Sequence, residues 1–216
     1  MNAVLSGGFR GAQGVAAALR PDLRVIDVVF PLAGSTLPAN HAQPLLEAIR
    51  ARLPAFSPDG GFGIHPLRAN TTEYGVVLLA RRAKLVLRVP ETQVADALRL
   101  QGQALDVAGS LLGVGEGWPR PLRPSATLSA VAVTFGDAEE EAFERAVGVA
   151  LAQLPVDCHF ISGRRRLARA GRRTIAGYSL TLHGLRPEDS ITVQALGLGT
   201  DRALGWGLFV PAKAIS

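Results

Sequence analysis

The sequence predicts an α+β fold built from two consecutive units that share one order of elements. In each half the residue pattern indicates a strand, a helix, two strands, a second helix and a closing strand. A segment with three prolines in seven residues, 118–124, separates the two halves. The 216 residues suffice for one large domain or two small ones with proper hydrophobic cores.

In the first half, the β-branched and apolar run at 24–32 predicts a strand. Apolar residues then recur at helical spacing over 45–53, with Asn40 as the candidate N-cap. Strict alternation over 84–89 predicts a half-buried strand in which Arg88 lies opposite the leucines. The other elements of this half are short and are predicted at 63–67, 75–79, 94–98, 105–107 and 111–114.

The second half begins with a predicted strand at 128–135. Asp137 and Glu140 have the spacing of a capping box, and an apolar stripe at helical spacing follows over 143–154. The remaining elements are predicted at 158–161, 174–182 and 208–210 as strands, with a helical turn starting at Pro187.

Each half therefore has the order of the split β-α-β-β-α-β unit of ferredoxin-like folds. Neither half shows the regular alternation of strands and helices that is typical of a doubly wound sheet. The predicted division is a loose arm at 1–20, a ferredoxin-like domain at 21–117, a linker at 118–124 and a second ferredoxin-like domain at 125–216.

Composition limits the class of protein. The chain has 48% apolar residues, a single cysteine and a formal net charge of +5. The apolar content excludes a disordered chain, and one cysteine excludes a disulfide framework and favours a reducing compartment. No apolar run reaches the roughly 18 residues of a membrane-spanning helix, and the start lacks the pattern of a signal peptide. We therefore expect a cytoplasmic protein without membrane contact.

The basic residues are unevenly distributed. Six arginines and no acidic residue fall within 164–173, between two predicted strands, while the acidic residues of this half cluster elsewhere. A solvated hairpin is one interpretation of this cluster. The other is a binding surface for a polyanion such as an RNA duplex, which would relieve the mutual repulsion of the arginines. The cluster consists of Arg164, Arg165, Arg166, Arg169, Arg172 and Arg173.

A glycine-rich loop at 197–207 precedes the last predicted strand. Two Gly-apolar-Gly pairs flank five residues that include Arg202, and glycines allow backbone amides to approach a phosphate closely. The loop lacks the Gly-Lys-Ser/Thr ending of a P-loop and the context of a dinucleotide fingerprint. It is either an ordinary turn or a phosphate contact, and its candidate residues are Gly197, Gly199, Arg202, Gly205 and Gly207.

The glycine-rich loop followed by Leu-Phe-Val-Pro at 208–211 resembles the C-terminal signature of the CRISPR-associated endoribonucleases that process repeat RNA. These enzymes belong to the superfamily of repeat-associated mysterious proteins. Further segments are similar in order and spacing to its myxobacterial-type branch, at 28–32, 37–41, 63–67, 163–167 and 176–180. The resemblance covers most of the chain.

The resemblance implies two ferredoxin-like domains and metal-independent cleavage of precursor CRISPR RNA within each repeat. It also implies a hairpin RNA as partner, and a processed RNA that often stays bound and joins other subunits of a CRISPR effector complex. His41 matches the position of the family's catalytic histidine at the first helix. No tyrosine precedes His41, and Lys84 is the only lysine before the C-terminal tail, so the fuller triad of some relatives is not expected.

No cofactor or metal is expected. The sequence has no carboxylate cluster for a two-metal nuclease, and Cys158 with His159 lacks the other ligands of a zinc site. His65 is a candidate second acid-base group or a structural residue, while His159 is expected in packing and His183 on a solvated strand face. Two alternatives stay open: a non-catalytic CRISPR RNA-binding subunit, and an unrelated ferredoxin-like pair that binds an acidic small molecule.

Overall fold

The structure is a computed structural model that describes residues 24–56, 61–67, 69–71, 75–136 and 139–212. The predicted N-terminal arm at 1–20 and the predicted capping residue Asp137 lie outside the described residues. All statements below concern the described part of the chain.

The first half contains helices α1 (Ala42–Arg52) and α2 (Val94–Leu98), the latter preceded by a 3-10 turn at Glu91–Gln93. Its strands are β1 (Val25–Ala33), β2 (Thr36–Pro38), β3 (Gly63–Ile64), β4 (Ala69–Thr71), β5 (Val76–Leu79), β6 (Lys84–Pro90), β7 (Ala104–Val107), β8 (Ser110–Val114) and β9 (Trp118–Pro121).

The second half contains helices α3 (Glu140–Gln153) and α4 (Pro187–Leu196), and a 3-10 turn at Arg202–Leu204. Its strands are β10 (Thr127–Val133), β11 (His159–Ala170), β12 (Arg173–His183) and β13 (Val210–Pro211).

Both sheets confirm the ferredoxin-like prediction. In the first half, β9, β1, β6 and β3 lie side by side and all pairs are antiparallel, so the first and third strands of the unit are central. The second half has the same arrangement, in the order β13, β10, β12 and β11. The hairpin of β7 and β8 extends the far end of β1, and β2, β5 and β4 form a separate small sheet.

Each sheet is covered by helices on one face. Helix α1 buries its apolar stripe against the first sheet through Leu45, Leu46 and Ile49. Helix α3 does the same in the second half, where Phe143 and Val147 are fully buried. Each half thus has its own hydrophobic core, as two units of this size require.

The predicted linker at 118–124 needs correction. Its first four residues form β9, which pairs with β1 from Ile26 to Val29. Pro119 and Pro121 are tolerated there because β9 pairs on one side only, and an edge strand does not need every backbone N–H in the ladder. The proline count therefore marks an edge strand followed by a connection, and the first domain extends into the segment.

The arginine cluster also lies in a different element from the one predicted. The two short strands expected at 158–161 and 174–182 are parts of one long hairpin of β11 and β12, with a register shift between Ser162 and Arg165. The ladder continues to the pair of Ala170 and Arg173. Most of the arginines therefore lie on the strands of the hairpin instead of in a loop between strands.

Arg88 differs most from the sequence-based prediction. The alternation in β6 placed it opposite the leucines, yet its side chain is only 1% exposed, because the second half covers this face of the sheet. Its Nε donates to Asp27 Oδ1 at 2.8 Å, and its Nη1 donates to the backbone carbonyls of Gln194 at 2.9 Å and Phe209 at 2.7 Å. One guanidinium thus joins the first sheet to the second half.

We predict that Arg88→Met destabilises the protein by about 3–5 kcal/mol, because it leaves Asp27 buried without its main counter-charge and two buried carbonyls without donors. Urea unfolding would measure the change. The matched control is Arg99→Met, since Arg99 is 77% exposed in a weak pair with Asp96, and its cost should stay within about 0.5 kcal/mol. Equal effects of the two substitutions would contradict the role of Arg88.

Candidate active site

A shallow pocket lies where the first half meets the C-terminal loop of the second half. Its walls carry two of the four histidines, His41 at the start of α1 and His65 just after β3. Ala203 and Leu204, from the 3-10 turn of the glycine-rich loop, close the same pocket. The fold thus brings together three segments that are far apart in the sequence.

His41 is the N-cap residue of α1, one position after the predicted Asn40. Its side chain does not cap the helix; instead, its Nδ1 lies 2.9 Å from the backbone carbonyl of Pro38. Because a carbonyl only accepts hydrogen bonds, Nδ1 must carry the proton. Nε2 is therefore the ring nitrogen that is left to accept or to give up a proton.

His65 is held from two directions. Its backbone N–H donates to the carbonyl of Val86 at 2.9 Å, and its Nε2 lies 3.4 Å from Asp27 Oδ1. The side chain is only 12% exposed, and this burial lowers the pKa of His65. Asp27 opposes that shift, while the charges of Arg88 and Arg120 add to it. The net direction is downward, so His65 is neutral at neutral pH.

Asp27 is the buried charge beside His65. Arg88 contacts both of its oxygens, at 2.8 and 3.3 Å, and Arg120 Nη2 donates to Oδ2 at 3.0 Å. Burial alone would raise the pKa of Asp27, but the polar contacts with His65 and Arg88 and the charge of Arg88 hold it well below its usual range. The carboxylate therefore stays ionised.

No motif in the sequence points to Asp27, Arg88 or Arg120 as site residues. A signal exists for the first of them, since Asp27 is the single charge inside a strand of β-branched and apolar residues, where an unpaired charge would be costly. For the arginines the sequence holds no comparable signal, because their partners come from β1 and from the other half of the chain.

The glycines of the 197–207 loop are explained by contacts within the protein. Gly197, Gly199, Gly205 and Gly207 all have positive φ. A Cβ at Gly197, Gly199 or Gly207 would lie 2.2–2.4 Å from a backbone carbonyl oxygen, which no side chain tolerates. The loop is therefore built by close approach of its own backbone to β10 and to itself, and this approach positions Ala203 and Leu204 at the pocket.

The predicted phosphate contact of Arg202 needs correction. Its Nη1 and Nη2 donate to the carbonyls of Leu196 and Ala195 at 2.6 and 2.8 Å, and its Nε is buried. These carbonyls end helix α4 and have no partner within the helix, so the guanidinium satisfies them. Burial, together with the charge of Arg88, lowers the pKa of Arg202 to about 10. The guanidinium therefore serves the fold, because its Nη atoms bind the end of the helix.

The arginine hairpin lies beside the same loop. The six arginines are all exposed, and Arg173 forms a charged hydrogen bond with Asp201 in the loop. Ala168 and Ala170 of β11 pack around Trp206, which follows the pocket residues Ala203 and Leu204. Packed side chains therefore connect the hairpin to the loop that closes the pocket of His41.

The two other histidines lie away from this pocket. His159 is exposed at the start of β11, so the expectation that it packs in the core is wrong. His183 is half-buried at the end of β12, where its Nδ1 lies 3.4 Å from Thr127 Oγ1. Within the described residues, no group of three or more metal-ligating side chains occurs, and no helix has the length and apolarity to cross a membrane.

We predict that Gly199→Ala is far more destabilising than Gly184→Ala. The two glycines have nearly equal φ values of 76° and 77°, so both variants incur the left-handed backbone cost of about 1–2 kcal/mol. At Gly199 the new Cβ would also meet the carbonyl oxygen of Thr134 at 2.2 Å, while at Gly184 it meets nothing within 4 Å. The clash should add about 1–3 kcal/mol in urea unfolding. Equal destabilisation by the two substitutions would show that the loop shifts to make room for the new Cβ.

Comparison with known proteins agrees with this architecture. The family model described as Cas6 Crispr matches residues 26–214. The CRISPR-associated endonuclease Cas6 of Myxococcus xanthus (strain DK1622) is 38% identical over 189 residues, which cover 86% of this chain and 81% of that protein.

Solved structures show the same fold. The product of a Cas6-related gene from Pyrococcus furiosus superposes with a TM-score of 0.63 at 13% identity, covering 88% of this chain and 99% of that one. A protein described as a RAMP protein binding different RNA substrates gives a TM-score of 0.63 at 12% identity, covering 87% and 100%. The resemblance inferred from the sequence motifs is confirmed, and the match over residues 26–214 together with the 38% identity shows that this chain belongs to the Cas6 family.

Proposed function

We propose that this Cas6-family chain is an endoribonuclease that cleaves precursor CRISPR RNA within its repeats, and that His41 transfers a proton in the reaction. The observation that carries the proposal is the geometry of His41. Its Nδ1 is held by the Pro38 carbonyl at the start of a helix, and its ring lines a pocket that the glycine-rich loop closes. The related Cas6 of Myxococcus xanthus is named as an endonuclease.

The chemistry follows from what RNA itself supplies. The 2′-oxygen next to the scissile phosphate attacks phosphorus, and the 5′-oxygen of the next nucleotide leaves. The products are an upstream 2′,3′-cyclic phosphate and a downstream 5′-hydroxyl. One group must accept the proton of the 2′-hydroxyl and another must give a proton to the leaving oxygen, and a histidine with a defined tautomer suits either task. We propose that the reaction needs no metal ion.

The arginine hairpin supplies the binding surface in this proposal. Six exposed arginines lie on or next to the ladder of β11 and β12, and most of them lie on β11, the edge strand of the second sheet. Guanidinium groups bind phosphate oxygens through paired N–H donors. An RNA stem bound along this hairpin would have its lower end near the glycine-rich loop and the pocket, because Trp206 and Leu204 connect the hairpin to the pocket.

We predict that His41→Ala lowers the single-turnover cleavage rate of a labelled repeat RNA by roughly 10²–10⁴-fold in EDTA, the usual contribution of a general acid or base. The variant should still bind the uncleaved hairpin RNA, because the arginines of the β11–β12 hairpin remain. A repeat with a 2′-deoxy nucleotide before the cut should bind and resist cleavage, because the nucleophile is missing.

The matched control for His41 is His159→Gln, an exposed histidine outside the pocket, which should cleave at the wild-type rate. Cleavage by the wild type that stops in EDTA would contradict a metal-independent reaction. Tight RNA binding by the wild type with no cleavage under any condition would instead identify a non-catalytic RNA-binding subunit. Wild-type cleavage by His41→Ala would show that another residue transfers the proton.

We predict that the double substitution Arg166→Gln with Arg169→Gln weakens repeat-RNA affinity and lowers the slope of log Kd against log salt by about one for each phosphate that the variant no longer neutralises. Filter binding from low to moderate salt measures both quantities. The control removes the same number of charges at Arg99 and Arg145, which are 77% and 71% exposed in weak helix-surface pairs. Equal slopes for the two double variants would mean that the hairpin is a solvated surface.

A further inference from the structure

We propose that His65 is the second proton-transfer residue of this site: it accepts the proton of the attacking 2′-hydroxyl while His41 protonates the leaving 5′-oxygen. The inference rests on the proposed function, since it divides the two proton transfers of that reaction between two histidines. It is carried by the pocket that both rings line, by the buried carboxylate behind His65, and by the absence of a comparable partner behind His41 among the described residues.

The two histidines reach the pocket from different elements. His41 comes from the start of α1, whereas His65 comes from the segment after β3, which hydrogen-bonds to Val86 of β6. The second half fixes that segment further, because Gly205 approaches Pro66 and the carbonyl of Ile64 closely. An acid and a base on opposite sides of a scissile phosphate is the arrangement that an in-line displacement requires.

Asp27 sets the tautomer of His65. A buried carboxylate 3.4 Å from Nε2 favours the form that carries its proton on Nε2, and the lone pair then lies on Nδ1. The contact is longer than an ordinary hydrogen bond, as contacts of catalytic groups often are without substrate. A carboxylate that orients a histidine and stabilises its protonated form is the recurring partner of a general base.

The charges around His65 favour its neutral form. Burial lowers the pKa of the ring; Asp27 on β1 raises it, and Arg88 on β6 and Arg120 on β9 lower it again. Among the described residues that line the pocket, His41 is the other titratable group, and Arg202, next to Ala203 in the chain, turns its guanidinium to the end of α4. A histidine that is neutral at neutral pH is ready to accept a proton, and Asp27 can stay ionised throughout.

Two proton transfers accompany the displacement at phosphorus. The 2′-oxygen forms a bond to phosphorus and its proton passes to His65 Nδ1. The bond between phosphorus and the 5′-oxygen breaks and the electron pair stays on that oxygen. His41, which starts the step protonated on both ring nitrogens, gives that oxygen the proton from Nε2. His65 ends protonated next to the Asp27 carboxylate, and His41 ends neutral with Nδ1 still donating to Pro38. Exchange with water restores both residues.

The first test is the single-turnover rate of His65→Gln on a labelled repeat RNA. We expect the cleavage rate to fall by roughly 10²–10⁴-fold while the affinity for the uncleaved repeat RNA stays unchanged. The control variant His159→Gln should keep the wild-type rate. Thermal unfolding of each variant shows whether it is folded. If the folded His65→Gln protein cleaves at the wild-type rate, the proposal is overturned, whereas a wild type that never cleaves overturns the proposed function instead.

The second test separates acid from base. A repeat RNA with sulfur in place of the bridging 5′-oxygen has a leaving group that needs no proton, so it restores cleavage to a variant that lacks only the general acid. We expect it to rescue His41→Ala by at least about 10-fold and to leave His65→Gln slow. Rescue of His65→Gln, or of neither variant, overturns the assignment, because a structural defect or an exchanged role would give these results.

The third test uses the wild type alone and needs no substitution to fold. A base must be unprotonated, so the single-turnover rate should rise with pH through the pKa of His65 and then level off. The lowered pKa places this limb below the ordinary histidine value of about 6.5. With the sulfur substrate this rise at low pH should stay, because the 2′-hydroxyl still needs a base when the leaving group no longer needs an acid. A rise centred at or above about 6.5 would contradict His65 as the base.

Discussion

The salt bridge between Asp27 and Arg88 is the interaction on which the rest of the structure depends. It lies in the middle of the first sheet, on the face that meets the second half, and it is buried from both sides. Arg88 uses its remaining N–H groups on carbonyls of Gln194 and Phe209, so the same guanidinium sets how the two halves meet. A charge pair this deep is stable only when all of its donors and acceptors are satisfied.

The pocket exists because that junction holds. The glycine-rich loop starts at the end of α4 and returns along β10, and Arg202 closes the helix end from inside the loop. Its 3-10 turn then reaches across to β3 and α1, where Ala203 and Leu204 meet the two histidines. The glycine-rich loop, whose motif suggested phosphate binding, therefore serves first to bring residues of the second half to the pocket of the first half.

Several features of the site follow from local sequence. The position of His41 at a helix start, the hairpin of exposed arginines and the tight glycine loop each have a short-range signature, and each occurs where the pattern placed it or within a few residues. The exceptions are Arg202, for which the pattern suggested a phosphate contact, and the proline segment, for which it suggested a linker. Arg202 instead binds a carbonyl at the end of α4, six residues away in the chain, and the first residues of the proline segment pair with β1.

The duplicated ferredoxin-like architecture could be predicted from the sequence, because periodicity and breakers are local and both halves show the same order of elements. The burial of Arg88, the contact of His65 with Asp27 and the pocket that both histidines share with the second half depend on tertiary packing. Alternation along a strand shows which residues share a face of the sheet, but it does not show what packs on each face. That depends on how the two halves pack together, through contacts as much as 121 residues apart in the chain.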